Sequence, residues 1–195
     1  MTSFVDTNVN RILGIDPGYA RTGFAILDHS CDRFKIVDYG LITTEAATPF
    51  PQRLLTIDRA IDELCSHYQP DCLAIEELFF ARNTTTAIGT AQARGVAVAA
   101  AARRGLTVYE YTPMQVKVAV TGYGKAEKTQ VQTMVKYLLR LKEVPKPDDV
   151  ADALAICICH GHSGNRQQAL AVGGYQAESM AAKRREKQVE ENLSN

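Results

Sequence analysis

Two short apolar runs each end in an acid, and they constrain the fold more than any other feature. Ile12-Leu13-Gly14-Ile15 closes on Asp16, and Cys72-Leu73-Ala74-Ile75 closes on Glu76. Runs of this length and apolarity are strands buried on both faces, as in the middle of an α/β sheet. A carboxylate at the end of such a strand sits where open α/β sheets place their ligands, at the carboxyl edge.

The segments between these runs predict the topology. Arg11–Asp16, Gly23–Leu27 and Phe34–Ile42 read as three strands with short connections, which favours an antiparallel meander. Pro51 opens a helix with Leu54, Ile57, Ile61 and Leu64 at helical spacing, ended by Gln69-Pro70. A helical crossover of this kind makes the next strand, Cys72–Glu76, parallel to another strand of the sheet. Placed beside the first strand, it brings Asp16 and Glu76 to neighbouring strand ends, roughly 5 Å apart.

A helix capped by Asn83 or Thr84 runs to about Arg103 before Gly105. Thr107–Tyr111 is a fifth strand. Pro113 starts a short helix that Gly122-Tyr123-Gly124 breaks. A further helix spans about Glu127–Leu141, and the last spans about Asp148–Gly161. Residues 11–162 are thus expected to form one domain, with a loose N-terminus at 1–10 and a flexible polar tail at 163–195.

The last helix adds two acids. Asp149 and Asp152 are three apart and share one face, while Val150, Leu154 and Ile158 lie on another. Docked on the sheet by its apolar face, the helix carries both acids over the strand ends. Each acid has an ordinary reading when taken alone. Asp16 precedes a Pro-Gly turn, and Asp148 and Asp149 suit a helix start. Those readings do not explain why two buried strands both end in acid. Four converging carboxylates repel one another unless cations neutralise them, and Mg²⁺ or Mn²⁺ prefers oxygen ligands. A two-ion site of that kind points to phosphodiester hydrolysis.

Composition is consistent with this. The chain has 195 residues, 46% hydrophobic and 23% charged, as expected of one soluble domain. No stretch approaches a membrane span and the start lacks a signal-peptide pattern, so a cytoplasmic protein is expected. Net charge is zero but unevenly placed: residues 1–77 carry 12 acids and 6 bases, and residues 78–142 carry 10 bases and 2 acids. Such a chain can hold a cation and a polyanion together. The five cysteines have no framework spacing and read as free thiols. Cys157, Cys159, His160 and His162 match no zinc motif and read as core cysteines with helix-end histidines.

Gly14-Ile15-Asp16-Pro17-Gly18, Ala74-Ile75-Glu76 with Phe79, Gln92-Ala93-Arg94-Gly95, and Asp149-x-x-Asp152-Ala153-Leu154 with a trailing His160 resemble the bacterial RuvC Holliday-junction resolvases. The resemblance spans about Arg11 to His162. It implies an RNase H-like α/β fold, a five-stranded mixed sheet of order 3-2-1-4-5 flanked by helices. It implies a homodimeric, Mg²⁺-dependent endonuclease that nicks a four-way DNA junction symmetrically, with RuvA–RuvB as partner. Catalytic and metal-holding roles fall on Asp16, Glu76, Asp149 and Asp152, the register choosing Asp149 over Asp148. In-line attack by water then leaves 5′-phosphate and 3′-hydroxyl ends.

DNA contacts are expected from Phe79, Arg82, Lys117, Lys125 and Lys128. Phe79 matches the family aromatic and suits base stacking, whereas Phe80 reads as core. Lys117 and Lys128 match basic positions near the family's active site, and Lys125 sits at a glycine-marked helix start that suits a phosphate. The small residues Ala87, Gly89, Ala91, Ala93, Gly95, Ala97 and Ala99–Ala102 suit either packing on the sheet or a dimer seam. Family resemblance favours the seam. Actin-like ATPases share the Gly-Ile-Asp-x-Gly strand but need two domains, for which the chain is too short. An RNA-cutting nuclease of the same fold and a catalytically silent DNA binder are the remaining alternatives.

Overall fold

The computed structural model describes residues 9–31, 33–78 and 84–163. Its strands are β1 (Asn10–Asp16), β2 (Arg21–Ser30), β3 (Arg33–Thr43), β4 (Cys72–Glu76) and β5 (Thr107–Tyr111). Its helices are α1 (Phe50–Tyr68), α2 (Thr84–Arg103), α3 (Pro113–Thr121), α4 (Lys128–Leu138) and α5 (Asp148–Ser163). The sheet has the expected order, β3-β2-β1-β4-β5. β1 pairs antiparallel with β2 and parallel with β4, with Ile12 opposite Cys72 and Ile15 opposite Ile75.

The alternation of β1 and β4 divides two cores. Ile12, Cys72, Ala74 and Tyr111 face one side, where α3, α4 and α5 pack. Leu13, Ile15, Leu73 and Ile75 face the other, against α1 and α2. α2 turns Ala93, Ala97, Ala100 and Ala101 onto the sheet. Its opposite side leaves Ile88, Gly95, Ala99 and Ala102 exposed, at spacings of seven, four and three that share one helical face.

Strand β2 runs well past the expected Leu27. Asp28, His29 and Ser30 look like loop residues, yet they pair with Lys35, Phe34 and Arg33 across the hairpin. Arg11 forks onto the Asp28 carboxylate at 2.7 and 3.0 Å, which makes an acid tolerable there. α4 stops at Leu138, short of the expected Leu141, because Arg140 takes a left-handed backbone (φ 53).

The contact that positions the site is α5 on the sheet. A Cβ added at Gly14 would stand 2.4 Å from Cys157 Sγ and 2.6 Å from the Ala153 carbonyl oxygen. One at Gly23 would stand 2.0 Å from the carbonyl oxygen of Asp149. The helix backbone therefore lies directly on β1 and β2, which only glycine allows. Val150, Leu154 and Ile158 are buried as expected, but so are Ala151, Ala153, Ala155, Ile156, Cys157 and Cys159, so α5 is a core helix and not one with a single apolar face.

Candidate active site

Asp16 and Glu76 are the last residues of neighbouring parallel strands. Strand alternation gives Asp16 the face of Ile12 and Gly14, and Glu76 the face of Cys72 and Ala74, which is the face that α5 covers. α5 begins over the same strand ends and adds Asp149 and Asp152 from its first turns.

Electrostatics records the convergence. The Asp16 carboxyl is pushed up to about 8, first by burial and then by repulsion from Asp152, Glu76 and Asp149, with Lys128 opposing. Glu76 is pushed up to about 7 by burial and by Asp152, again opposed by Lys128. Asp152 is raised by burial, against the pull of Lys128. The charges of Asp152, Glu76 and Asp149 are thus all felt at Asp16.

Lys128 opens α4 and supplies the nearest positive charge, with Nζ 3.0 Å from Asp152 Oδ2 and 3.3 Å from Asp148 Oδ2. Arg21, which the sequence did not single out, places Nε 3.3 Å from Asp149 Oδ2. That oxygen is nevertheless buried without a hydrogen bond, because the ion pair lacks hydrogen-bond geometry. Asp148 shares Lys128 with Asp152 from the solvent side. It is exposed, accepts a 3.0 Å hydrogen bond from Gln132 Nε2, and is held below the usual carboxylate range by Gln132 and Lys128. Asp149 acts on Asp16 and Asp148 does not, although both push up Asp152, Asp148 the more.

Among the described residues no three acidic, histidine or cysteine side chains are already drawn to ligand spacing around one point. The donor set still fits a hard cation. It is all oxygen, mutually repelling and half-buried, and it includes one buried carboxylate oxygen without a hydrogen bond. The Lys128 ammonium partly fills the need for positive charge.

The predicted DNA contacts are distributed unevenly. Lys128 touches the acids. Lys117 is half-buried on α3 and Lys125 is exposed in the α3–α4 connection, and neither pairs with an acid among the described residues. Phe79, Phe80 and Arg82 lie outside the described residues. The cysteine–histidine cluster sits in the core: Cys157 and Cys159 are buried, and His160 bridges Tyr111 Oη (2.7 Å) and Cys72 Sγ (3.3 Å). His162 is exposed at the helix end.

A mixed sheet of this order, with acids at the adjoining ends of β1 and β4 beneath an acid-bearing helix, defines the RNase H-like class of folds. Within that class, residues 12–160 match the family model for crossover junction endodeoxyribonuclease RuvC. The Alkaliphilus metalliredigens (strain QYMF) protein of that name is 59% identical over 156 residues, covering 80% of this chain and 95% of that one. The Alkaliphilus oremlandii (strain OhILAs) protein is 56% identical over 154 residues, covering 79% and 94%. The structure of Thermus thermophilus RuvC in complex with a Holliday junction substrate aligns with a TM-score of 0.76 at 34% identity, covering 80% and 96%. The chain belongs to the RuvC family, which is a family of metal-dependent nucleases.

Proposed function

We propose that this chain resolves four-way DNA junctions by paired phosphodiester hydrolysis, with Asp16, Glu76, Asp149 and Asp152 holding two Mg²⁺ ions for which Mn²⁺ substitutes. The observation that carries the reading is the placement of Asp16 and Glu76 at the adjoining ends of β1 and β4, on the face that α5 covers with Asp149 and Asp152 in its first turns, in a chain whose residues 12–160 match the RuvC model. Such a cluster is stable in its ionised form only around cations. When bound, the ions would supply Lewis-acid polarisation of the phosphate and a water acidic enough to attack near neutral pH. The chain does the rest. The strand ends fix Asp16 and Glu76, α5 carries Asp149 and Asp152 as a rigid pair, and Lys128 brings positive charge to where the transition state becomes more negative. In-line hydrolysis leaves a 5′-phosphate and a 3′-hydroxyl.

Symmetric cutting needs two sites related by a two-fold axis, so the active form is a homodimer, with the exposed face of α2 as its seam. The nuclease domain is residues 11–162, flanked by 1–10 and 163–195. The setting is the cytoplasm and the partner is the RuvA–RuvB branch-migration machinery. Among the described residues no helix is long and apolar enough to cross a membrane. The decisive experiment incubates the chain with a labelled four-way junction, a hairpin and an RNA–DNA hybrid, each with Mg²⁺ or EDTA. Paired, Mg²⁺-dependent cuts in the junction alone are expected, and preferential cutting of the hybrid would overturn the reading.

The phosphate contacts have their own signature. Lys117→Ala, Lys125→Ala and Lys128→Ala should each weaken junction affinity and make its log–log salt dependence shallower by roughly 0.9. A lysine whose loss leaves the slope unchanged contacts no phosphate. Phe79→Ala should lose junction cleavage by an amount equivalent to roughly 1–3 kcal/mol of base stacking, with Tyr or Trp restoring much of it. Phe80→Ala should instead lower the melting temperature, and the reverse pattern would exchange the two roles.

The raised carboxyls make metal binding proton-linked. Asp16 at about 8 and Glu76 at about 7 compare with ordinary values of 3.8 and 4.5. Between about pH 4 and pH 8 the native state holds protons that the unfolded chain has released. Metal-free stability conferred by these groups is therefore full below that window and falls as pH rises through it. A cation that needs ionised carboxylates displaces the same protons. Calorimetry at pH 7 in buffers of different ionisation heat is expected to show roughly one to two protons released per site, fading above about pH 9.

A further inference from the structure

Arg94 lies on α2 with its side chain turned inward, 9% exposed, and is paired with Glu110 of β5, itself 6% exposed. Burying two charges regains little more than it costs, so such a pair is weak evidence of a purely stabilising role. A third contact gives it another use. Arg94 Nε donates to the main-chain oxygen of Glu76 at 3.1 Å. On the β1 side the ladder has ended one residue earlier, at Ile15 and Ile75, while on the β5 side Glu76 still pairs with Tyr111 and the Glu77 N–H donates to the Tyr111 carbonyl at 2.9 Å; the arginine bond adds a side-chain tie to that strand end. One edge of the guanidinium is divided between a carboxylate and a carbonyl, with Nη2 on Glu110 and Nε on Glu76. The planar fork suits this division, and a lysine ammonium does not reproduce it.

We infer that Arg94 is a positioning residue for the nuclease site: Glu110 orients its guanidinium, and the guanidinium pins the end of β4 so that Glu76 is presented to the other three acids from a fixed backbone. The inference rests on the reading of Glu76 as a metal ligand. It also makes α2, which carries Arg94, a support of that acid.

The test uses the full chain with Arg94→Lys, with the double replacement Arg94→Met and Glu110→Leu, and with Glu76→Gln as the reference. Melting temperature, Mn²⁺ affinity by calorimetry without DNA, single-turnover junction cleavage, and junction affinity in EDTA are read for each. The double variant exchanges the buried pair for apolar side chains of similar size, so it should melt near the wild type. Its Mn²⁺ affinity should nevertheless fall about 10- to 100-fold, the range seen when groups that orient metal ligands are lost, and cleavage should fall with it. Junction affinity in EDTA should not change. Arg94→Lys should show the same pattern in milder form, and it decides alone if the double variant does not fold. A merely structural Arg94 would lower the melting temperature and leave Mn²⁺ affinity at the wild-type value, which overturns the inference. If Glu76→Gln loses Mn²⁺ and folded Arg94 variants do not, the inference alone fails. If Glu76→Gln itself binds Mn²⁺ normally, Glu76 is no ligand and both readings fall.

Discussion

Asp16→Asn is expected to give a folded protein that binds four-way junctions and does not cut them. Cleavage should drop by about 10³-fold or more, because Lewis-acid stabilisation worth several kcal/mol is lost with the ions. Glu76→Gln, Asp149→Asn and Asp152→Asn should behave alike. Binding should survive or tighten, since each change removes a negative charge from a surface that must accept phosphates. The fold should also survive, because Asp16 and Glu76 sit in the metal-free protein as carboxyls that burial already pushes towards the neutral form. Asp148→Asn is the internal control. Its exposed carboxylate faces Gln132 and Lys128, so turnover should remain near wild type. Gel assays of labelled junctions at saturating Mg²⁺ decide the matter. Near wild-type turnover in any of the four variants removes that residue from the metal set, and a dead Asp148→Asn with an active Asp149→Asn would shift the assignment by one position.

Gly95→Trp should convert a dimer into a folded monomer that no longer makes paired incisions. The position is suited to the test because a Cβ there meets nothing within 4 Å, so the isolated fold has room for a side chain. A partner helix packed on the stripe of Ile88, Gly95, Ala99 and Ala102 would not have that room. A bulky residue at Ala91 should act in the same direction, less cleanly because Ala91 is half-buried within the protomer. Sedimentation at micromolar concentration reads the assembly state, and cleavage of a junction in a supercoiled plasmid separates paired cuts from single nicks. Mn²⁺ binding should outlast paired incision. A wild-type chain that sediments as a monomer and still makes paired cuts would sink the seam.

The parts of this fold legible in the sequence are those written in local pattern. β4 and β5 have the bounds their apolar runs predict, and Asp16 and Glu76 stand out because each interrupts such a run at its end. The pairing of β1 with β4 follows from the helical crossover and its preferred hand. What was not legible depends on partners distant in sequence. The polar end of β2 becomes strand only because β3 pairs with it. Arg94 was visible within a family motif, but its pairing with Glu110, sixteen residues on, and with the Glu76 backbone has no local signature. Arg21 follows a turn and carries no sign that it will reach Asp149. Lys128 was expected at the phosphate, and its hold on Asp152 and Asp148 emerges only when α4 and α5 meet.

The backbone contact of α5 with Gly14 and Gly23 bears on how such a chain can change over generations. Where a helix rests on side chains, each altered core volume moves it. Here the helix main chain comes directly onto the strands at Gly14 and Gly23, with the Cys157 sulfur also against Gly14, so the separation of the strand-end acids from the helix acids is set at these two points by close approach of the backbone. Sequence divergence can then run far through the interior while the spacing of four carboxylates stays the same, and the cost of that tolerance is concentrated in two glycines that admit no replacement.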